Sequence, residues 1–396
     1  MADEDIKSGK SGSKASVFMF FLLVFVITVV AFLAYLRTED INLERFNLKE
    51  YIVSTFIQEN NTPGNSELLK LDYDERAYTV FSVYKGQIIK CTSEYIKGIN
   101  TRGEEVWSRN ISFNKPLIKL NGSEMLVADI GGRSSMVFKG GNLKWEVSTD
   151  SAIVNADISK EGYVTLVQEA EGYKNKVKVY DPYGVEMFYI NIAENFVLSA
   201  GVSPSGEEIV INSINTSGIS VKSKIEFTRL LDDNPFAAVM KEDVVFPSIW
   251  FLDDDSLLAV GNTHIVCFDR DREEAWSRAV KKVFSSNVCM GKFIIVASEG
   301  KSESGYYAGN GVMVEILNKK GQQAAVYPIG DKVKNIKSYS GLIAVNTGRE
   351  VHFIDTKGTL KYKAGSKVDI LDVHFINKLE AVIVTKNSVE VKRIGG

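Results

Sequence analysis

Cysteine is scarce in this chain: Cys91, Cys267 and Cys289 are far apart and odd in number among 396 residues. Neither a disulfide framework nor a Cys-x-x-Cys zinc site can be built from them. Each sits in an apolar, strand-like run (IIKCTS, HIVCFD, SNVCMG), where a free cysteine behaves as a compact hydrophobe. Runs of basic residues are absent and the formal net charge is −3. Nucleic-acid binding through counterion release needs a basic footprint, so that class is excluded. The GxSxG elbow, HExxH helix, P-loop and dinucleotide glycine fingerprint are all missing, which leaves no motif for catalysis or for a cofactor.

Metal ligands are equally sparse. Of three histidines, His264 and His352 occupy equivalent places in a repeat (NTHIVCFD, REVHFID), and His374 stands apart in a strand-like run with no second ligand in sequence. Two acidic groups, Asp253-Asp254-Asp255 and Asp269 with Asp271 and Glu273, lack the glycine and terminal glutamate of a calcium loop. Aspartates that bond their own turns account for both groups. The reading is therefore no catalytic residue, no metal and no cofactor.

What the chain does have begins at residues 17–36, VFMFFLLVFVITVVAFLAYL, a run without a charge in which fifteen of twenty residues are Leu, Ile, Phe or Val. As a helix it would span about 30 Å, the thickness of a bilayer's hydrocarbon core. A cleaved signal peptide would have a shorter apolar core. The expectation is one transmembrane helix over 16–36, preceded by a polar, disordered tail over 1–15. The lysines before it (Lys7, Lys10, Lys14) nearly balance Arg37, Arg45 and Lys49 after it. With the free amino group added, the N-terminus is placed in the cytoplasm and the large domain outside. Residues 37–65 read as a juxtamembrane segment: a short helix from Asn47, then the turn-rich linker ENNTPGNS.

From residue 66 to 396 the chain repeats itself. A strand ends in a polar turn, usually with glycine, and a second strand closes on an aromatic. The copies are Ile99-NTRGEEV-Trp107, Phe138-KGGNLK-Trp145, Tyr180-DPYGVEM-Phe188, Phe268-DRDREEA-Trp276, Ile316-LNKKGQQAAV-Tyr327 and Ile354-DTKGTLK-Tyr362. A degenerate fourth copy, ISVKSKIEF, ends at Phe227. Successive aromatics lie 38, 43, 39, 49, 51 and 35 residues apart, around the forty-odd residues of a four-stranded propeller blade. Two further strands precede each hairpin, so a blade reads as strands a to d with the glycine turn between c and d. One blade cannot bury both faces of its sheet; stacking blades around an axis can. The last copy supplies strands a, b and c before the chain stops, and a lone strand from Glu67 precedes the first full blade. Together they form a composite blade that closes the ring and removes its open edges. The fold class is all-β, an eight-bladed propeller closed by N- and C-terminal strands, or seven-bladed if the fourth copy is an insertion.

The turns with a closing tryptophan, NTRGEEVW and DRDREEAW, resemble the repeat of the pyrroloquinoline-quinone-like propellers, which include eight-bladed quinone dehydrogenases and BamB-type lipoproteins. Most blades depart from the longer Ala-x-Asp-x-x-Thr-Gly-x-x-x-Trp form of that repeat. The anchor-plus-propeller layout is similar to an uncharacterised family of membrane-anchored propellers in Gram-positive anaerobes.

Enlarged connections point to where a partner would bind. In a propeller the b–c and d–a connections share one face. Three b–c connections carry Arg133 (DIGGRSS), Tyr173 (QEAEGYKNK) and Tyr306 with Tyr307 (SEGKSESGYYAGNG), and LLDDNPFAAVMKED, read as a d–a passage, carries Phe236. Tyrosine and arginine are enriched at interaction hot spots. The function this favours is a membrane-tethered, extracytoplasmic interaction scaffold for a protein or glycan partner. A small-ligand sensor using the channel mouth is the alternative, and an envelope enzyme is a third reading.

Overall fold

The computed structural model describes residues 67–230, 232, 234–302, 309–330 and 332–395, together with Leu23 and Ile27. The chain divides into two units, Met1–Thr62 and Pro63–Gly396. Among the described residues no helix is long and apolar enough to cross a membrane. The segment 16–36 lies outside them, except that Leu23 and Ile27 are helical and exposed, and so does the juxtamembrane segment 37–65.

The first strand, β1 (Glu67–Asp72), belongs to the last blade. Blade one follows as β2 (Val80–Tyr84), β3 (Gln87–Cys91), β4 (Tyr95–Ile99) and β5 (Glu105–Asn110). Blade two is β6 (Pro116–Asn121), β7 (Glu124–Asp129), β8 (Ser134–Lys139) and β9 (Asn142–Ser148). Blade three is β10 (Ile153–Ile158), β11 (Val164–Ala170), β12 (Tyr173–Tyr180) and β13 (Glu186–Ile192). Blade four is β14 (Phe196–Val202), β15 (Glu208–Asn215), β16 (Lys222–Arg229) and β17 (Ala237–Glu242). Blade five is β18 (Ser248–Asp253), β19 (Ser256–Val260), β20 (His264–Phe268) and β21 (Glu274–Ala279). Blade six is β22 (Lys281–Cys289), β23 (Phe293–Ser302), β24 (Gly309–Asn318) and β25 (Gln323–Ile329). Blade seven is β26 (Asn335–Tyr339), β27 (Leu342–Asn346), β28 (Glu350–Asp355) and β29 (Leu360–Gly365). Blade eight joins β30 (Ile370–Phe375), β31 (Glu380–Thr385) and β32 (Ser388–Arg393) to β1.

All eight sheets are antiparallel, and the ring is closed by β1 on β32, with Leu69 opposite Val391 and Leu71 opposite Val389. The first strand of each blade touches the first strand of the next, β30 meeting β2, so these eight strands surround the axis. Strand b of each blade is covered on both faces by its neighbours. It accordingly reads as a nearly unbroken apolar run, such as MLVA in β7, LIAV in β27 and AVIV in β31, with almost no side chain exposed. Strand d alternates exposed and half-buried residues, as expected where blades splay apart at the rim.

Two devices join the blades. Near the axis, Asn155 Nδ2 donates to the Leu198 carbonyl at 2.6 Å and Asn335 Nδ2 to that of Leu371 at 2.9 Å, each reaching one blade onward. Thr165 Oγ1 does the same to Ala200 at 2.7 Å. At the rim, a large side chain on strand d covers the glycine of the next blade's c–d turn. Trp145 lies over Gly184, where an added Cβ would come within 2.8 Å of the indole, and Trp276 lies over Gly321 at 2.7 Å. Both indoles donate to the turn beneath them, Trp145 to the Pro182 carbonyl at 3.1 Å and Trp276 to that of Lys319 at 2.9 Å. Trp107 covers Gly141 in the same way but donates to Gln87. At the closing seam Leu69 takes the tryptophan's place, 3.1 Å from a Cβ on Gly103. Tryptophan packing thus operates at three interfaces although most blades lack the longer repeat form.

Blade four corrects one reading. The residues AAVMKE, read as part of a d–a passage, form β17 and pair with β16, Phe227 opposite Ala237. Phe227 therefore lies on strand c instead of closing strand d, and the enlarged segment between β16 and β17 is a c–d connection. The blade keeps its four strands, so the count is eight and no copy is an insertion.

Candidate functional site

The residues expected at a partner surface separate into three groups. Arg133 and Tyr173 lie on the b–c side as expected, both exposed. The connection carrying Tyr173 is a tight turn at Glu171 and Gly172, with Ala170 opposite Tyr173, so an apparent loop is an extended hairpin. Gly172 has φ +77, the left-handed conformation such a turn demands. Blade six extends likewise, its register running out to Ser302 opposite Gly309; Tyr306 and Tyr307 beyond it lie outside the described residues. Phe236 is on the opposite face, because c–d connections share the side of the a–b turns. There its ring rests 6.5 Å from that of Phe227, beneath the Arg229 guanidinium at 5.3 Å.

Structure adds residues that sequence reading passed over. On the b–c/d–a side of blades three and four, Phe196 is exposed with Lys174 Nζ 4.8 Å above its ring, and Ile219 in the b–c connection of blade four is fully exposed. Neither stands out in sequence, since a lone apolar residue at a strand start or turn carries no periodic signal.

The axis holds the other concentration of functional groups. One register level of the innermost strands carries Ser82, Lys119, Asp157, Gly201, Trp250, Asn287, Lys337 and His374. Lys119 pairs with Asp157 at 3.8 Å. Across the ring Asp372 meets His374 at 3.1 Å and Lys337 at 3.9 Å. Half the Asp157 side chain is accessible, yet its place deep among the innermost strands pushes its carboxyl above the usual carboxylate range, with Lys119 opposing. Burial also raises Asp372, yet the close approach of the His374 imidazole and the charge of Lys337 outweigh it and leave that carboxyl below its usual value.

Nothing among the described residues gathers three or more His, Cys, Asp or Glu side chains as a metal site would. Asp269 serves its own turn, Oδ1 accepting from the backbone of Asp271 and Glu273 at 3.0 Å each. His352 is buried and bonded to the Tyr327 hydroxyl at 2.8 Å. All three cysteines are buried, and burial pushes the thiols of Cys91 and Cys267 up to about 12 and about 11.

Solved structures with the same architecture are numerous. BamB from Moraxella catarrhalis superposes with a TM-score of 0.52 at 13% identity, over 83% of this chain and 99% of that one. Chaetomium thermophilum Sqt1, bound to the N-terminus of the ribosomal protein L10, gives 0.59 at 9% identity over 83% and 100%. The quinohemoprotein alcohol dehydrogenase ADHIIG from Pseudomonas putida gives 0.54 at 9% identity over 83% and 76%. At such identities the likeness is one of fold, which hosts binding proteins and enzymes alike. No curated protein matches the chain. Residues 66–394, nearly the whole propeller, match a single family model, and the chain belongs to that family, the family of unknown function DUF5711.

Proposed function

We propose that this protein is a membrane-tethered, non-catalytic scaffold whose propeller stands outside the cytoplasm and binds a protein partner on the b–c/d–a face. The observation that carries the reading is the surface of blades three and four, where Tyr173, Phe196 and Ile219 are exposed on polar turns and strand starts. No core demands apolar area at those places, and exposed aromatic side chains offer contact area at low entropic cost. The tether rests on the uncharged run 17–36. Tyr306 and Tyr307 extend the surface by their place in the b–c connection of blade six. A fold shared with Sqt1, which is bound to the N-terminus of the ribosomal protein L10, is in keeping with the reading.

Photo-crosslinking in intact cells tests it, with a reactive amino acid at Tyr173 in one strain and at Phe236, on the opposite face, in another. A protein adduct from Tyr173 and none from Phe236 is expected. The reverse pattern removes the proposed face, and an adduct that glycosidases but not proteases digest makes the partner a glycan. Replacing Tyr306 and Tyr307 by alanine should weaken capture by about 2 kcal/mol or more. Protease added to protoplasts should cut the 59–66 linker; protection until lysis would place the domain in the cytoplasm.

A further inference from the structure

On the face away from Tyr173, the channel wall opens into a cavity of about 420 Å³ between the a–b turns of blades three, four and five. A smaller one of about 150 Å³ continues along the same wall towards Lys119, Asn155 and Ser248. Asp157 and Trp250 line both, so the two form one recess running from the mouth into the channel.

The recess exists because blade four has no side chain where its neighbours carry Asp157 and Trp250. Gly201 stands there, and unlike Gly184 or Gly321 neither its backbone nor its packing requires glycine. Its φ is not in the left-handed region, and an added Cβ would meet nothing nearer than Val210 Cγ1 at 3.8 Å and Asp157 Oδ2 at 3.9 Å. The glycine keeps space open.

Trp250 differs from the other tryptophans in the same sense. Trp107, Trp145 and Trp276 sit on outermost strands and each donates its indole N–H to the protein. Trp250 sits on an innermost strand, packs in part against the cluster between blades five and six, and its N–H has no acceptor among the described residues. Most charges around the recess are already answered. Lys119 faces Asp157 at 3.8 Å, Lys319 holds Asp253 at 2.5 Å, and the Ser205 N–H donates to Asp254 at 2.6 Å. Lys160 and Glu161 in the lining offset one another, and Asp254 is met by a backbone N–H and not by a cation. The recess therefore disfavours an anion and suits a neutral occupant. It offers a tryptophan with a spare indole donor, next to carboxylate oxygens that accept hydrogen bonds.

We propose that this recess binds a neutral saccharide, one or two rings long, with a sugar ring against Trp250 and its hydroxyls donating to Asp157 and accepting from the Trp250 N–H. A pyranose ring presents an apolar C–H face and a rim of hydroxyls that both donate and accept, which matches that mixture. The volume suits such a ligand, since small-molecule sites begin at about 300 Å³. The site lies on the opposite face from the partner surface and does not depend on it.

Calorimetry and tryptophan fluorescence on the full chain test the site, with glucose, N-acetylglucosamine, maltose and chitobiose as probes and agmatine as a small cation. At least one saccharide is expected to saturate with a Kd in about the millimolar range or tighter. Gly201→Leu, which fills the recess, should abolish that binding, and Trp250→Phe should weaken it about tenfold or more. Gly201→Leu should keep the wild-type melting temperature, and Trp250→Phe, which gives up part of the packing on the cluster between blades five and six, should lower it only slightly. Saccharide binding that survives both substitutions, binding of agmatine alone, or binding of no probe would each overturn the proposal.

Discussion

The guanidinium of Arg272 donates through Nε and Nη2 to one carboxylate oxygen of Glu208, at 2.9 and 2.6 Å, tying the c–d turn of blade five to strand b of blade four. Its Nη2 and Nη1 also reach the carbonyls of Asp254 and Asp269, and the group lies within 6 Å of the Phe227 and Phe251 rings. Arg272 holds the turn position that Gly184 and Gly321 hold in blades three and six, at φ +63. Blade four has no tryptophan to lay over that turn, so the contact runs the other way: the turn supplies the large side chain and blade four the socket. Arg272→Ala should cost about 3 kcal/mol in chemical denaturation, because Glu208 loses its partner at a covered interface. Arg272→Gly should cost about 1 kcal/mol less, since glycine relieves the left-handed backbone. Equal losses would show that the turn is unstrained.

The packing of tryptophan on glycine can be separated from backbone conformation. Gly184 and Gly86 both have positive φ, +87 and +74, but a Cβ on Gly184 meets Trp145 at 2.8 Å and one on Gly86 meets nothing within 4 Å. Gly86→Ala should cost about 1 kcal/mol, the conformational penalty. Gly184→Ala should cost at least about 2 kcal/mol, as the indole must also shift. Similar melting temperatures for the two variants would mean the rim contact holds nothing.

Closure rests on β1. Deleting Glu67–Asp72 removes Leu69 and Leu71 from the cluster they share with Val389 and Val391 and bares the outer edge of β32. A loss of about 2–4 kcal/mol is expected from the two side chains, together with a greater tendency to aggregate through the open edge. Light scattering during a thermal melt measures both. A truncated chain that melts like the full one would show the ring stable without its clasp.

The two channel carboxylates should respond to pH in opposite senses. Asp372 is depressed in the fold, so its stabilising contribution is present above the ordinary carboxylate range and is lost as pH falls through its folded value. Asp157 is raised, so it favours the fold at low pH and that contribution is lost as pH rises through its elevated value. At neutral pH Asp372→Asn should lower stability and Asp157→Asn should raise it, each by less than about 1 kcal/mol because both groups meet channel water. Denaturation midpoints between pH 4 and 8 compare them, and shifts of the same sign would refute the assignment.

Much of the architecture is readable along the chain. Turns such as NTRGEEVW and DPYGVEMF, and apolar runs such as SLLAV, state a strand and its turn within a few residues. The pairing of residues 67–71 with the last strand follows from counting what each terminus lacks. Blade four breaks the local signal, with neither a glycine in its c–d connection nor an aromatic on strand d, and the reading there put Phe236 on the wrong face. Only the register of β16 on β17 corrects it.

Turn type, strand composition and blade count belong to the sequence because each depends on dihedral preferences and burial patterns a few residues long. Which side chains meet at the axis does not. Asp157, Gly201 and Trp250 lie more than forty residues apart in chain order and share a level only because three strand registers and the closed ring place them there. Arg272 and Glu208 are 64 residues apart and meet for the same reason. Such contacts depend on how one blade's buried face fits the next, a property of the assembled ring that no local segment carries.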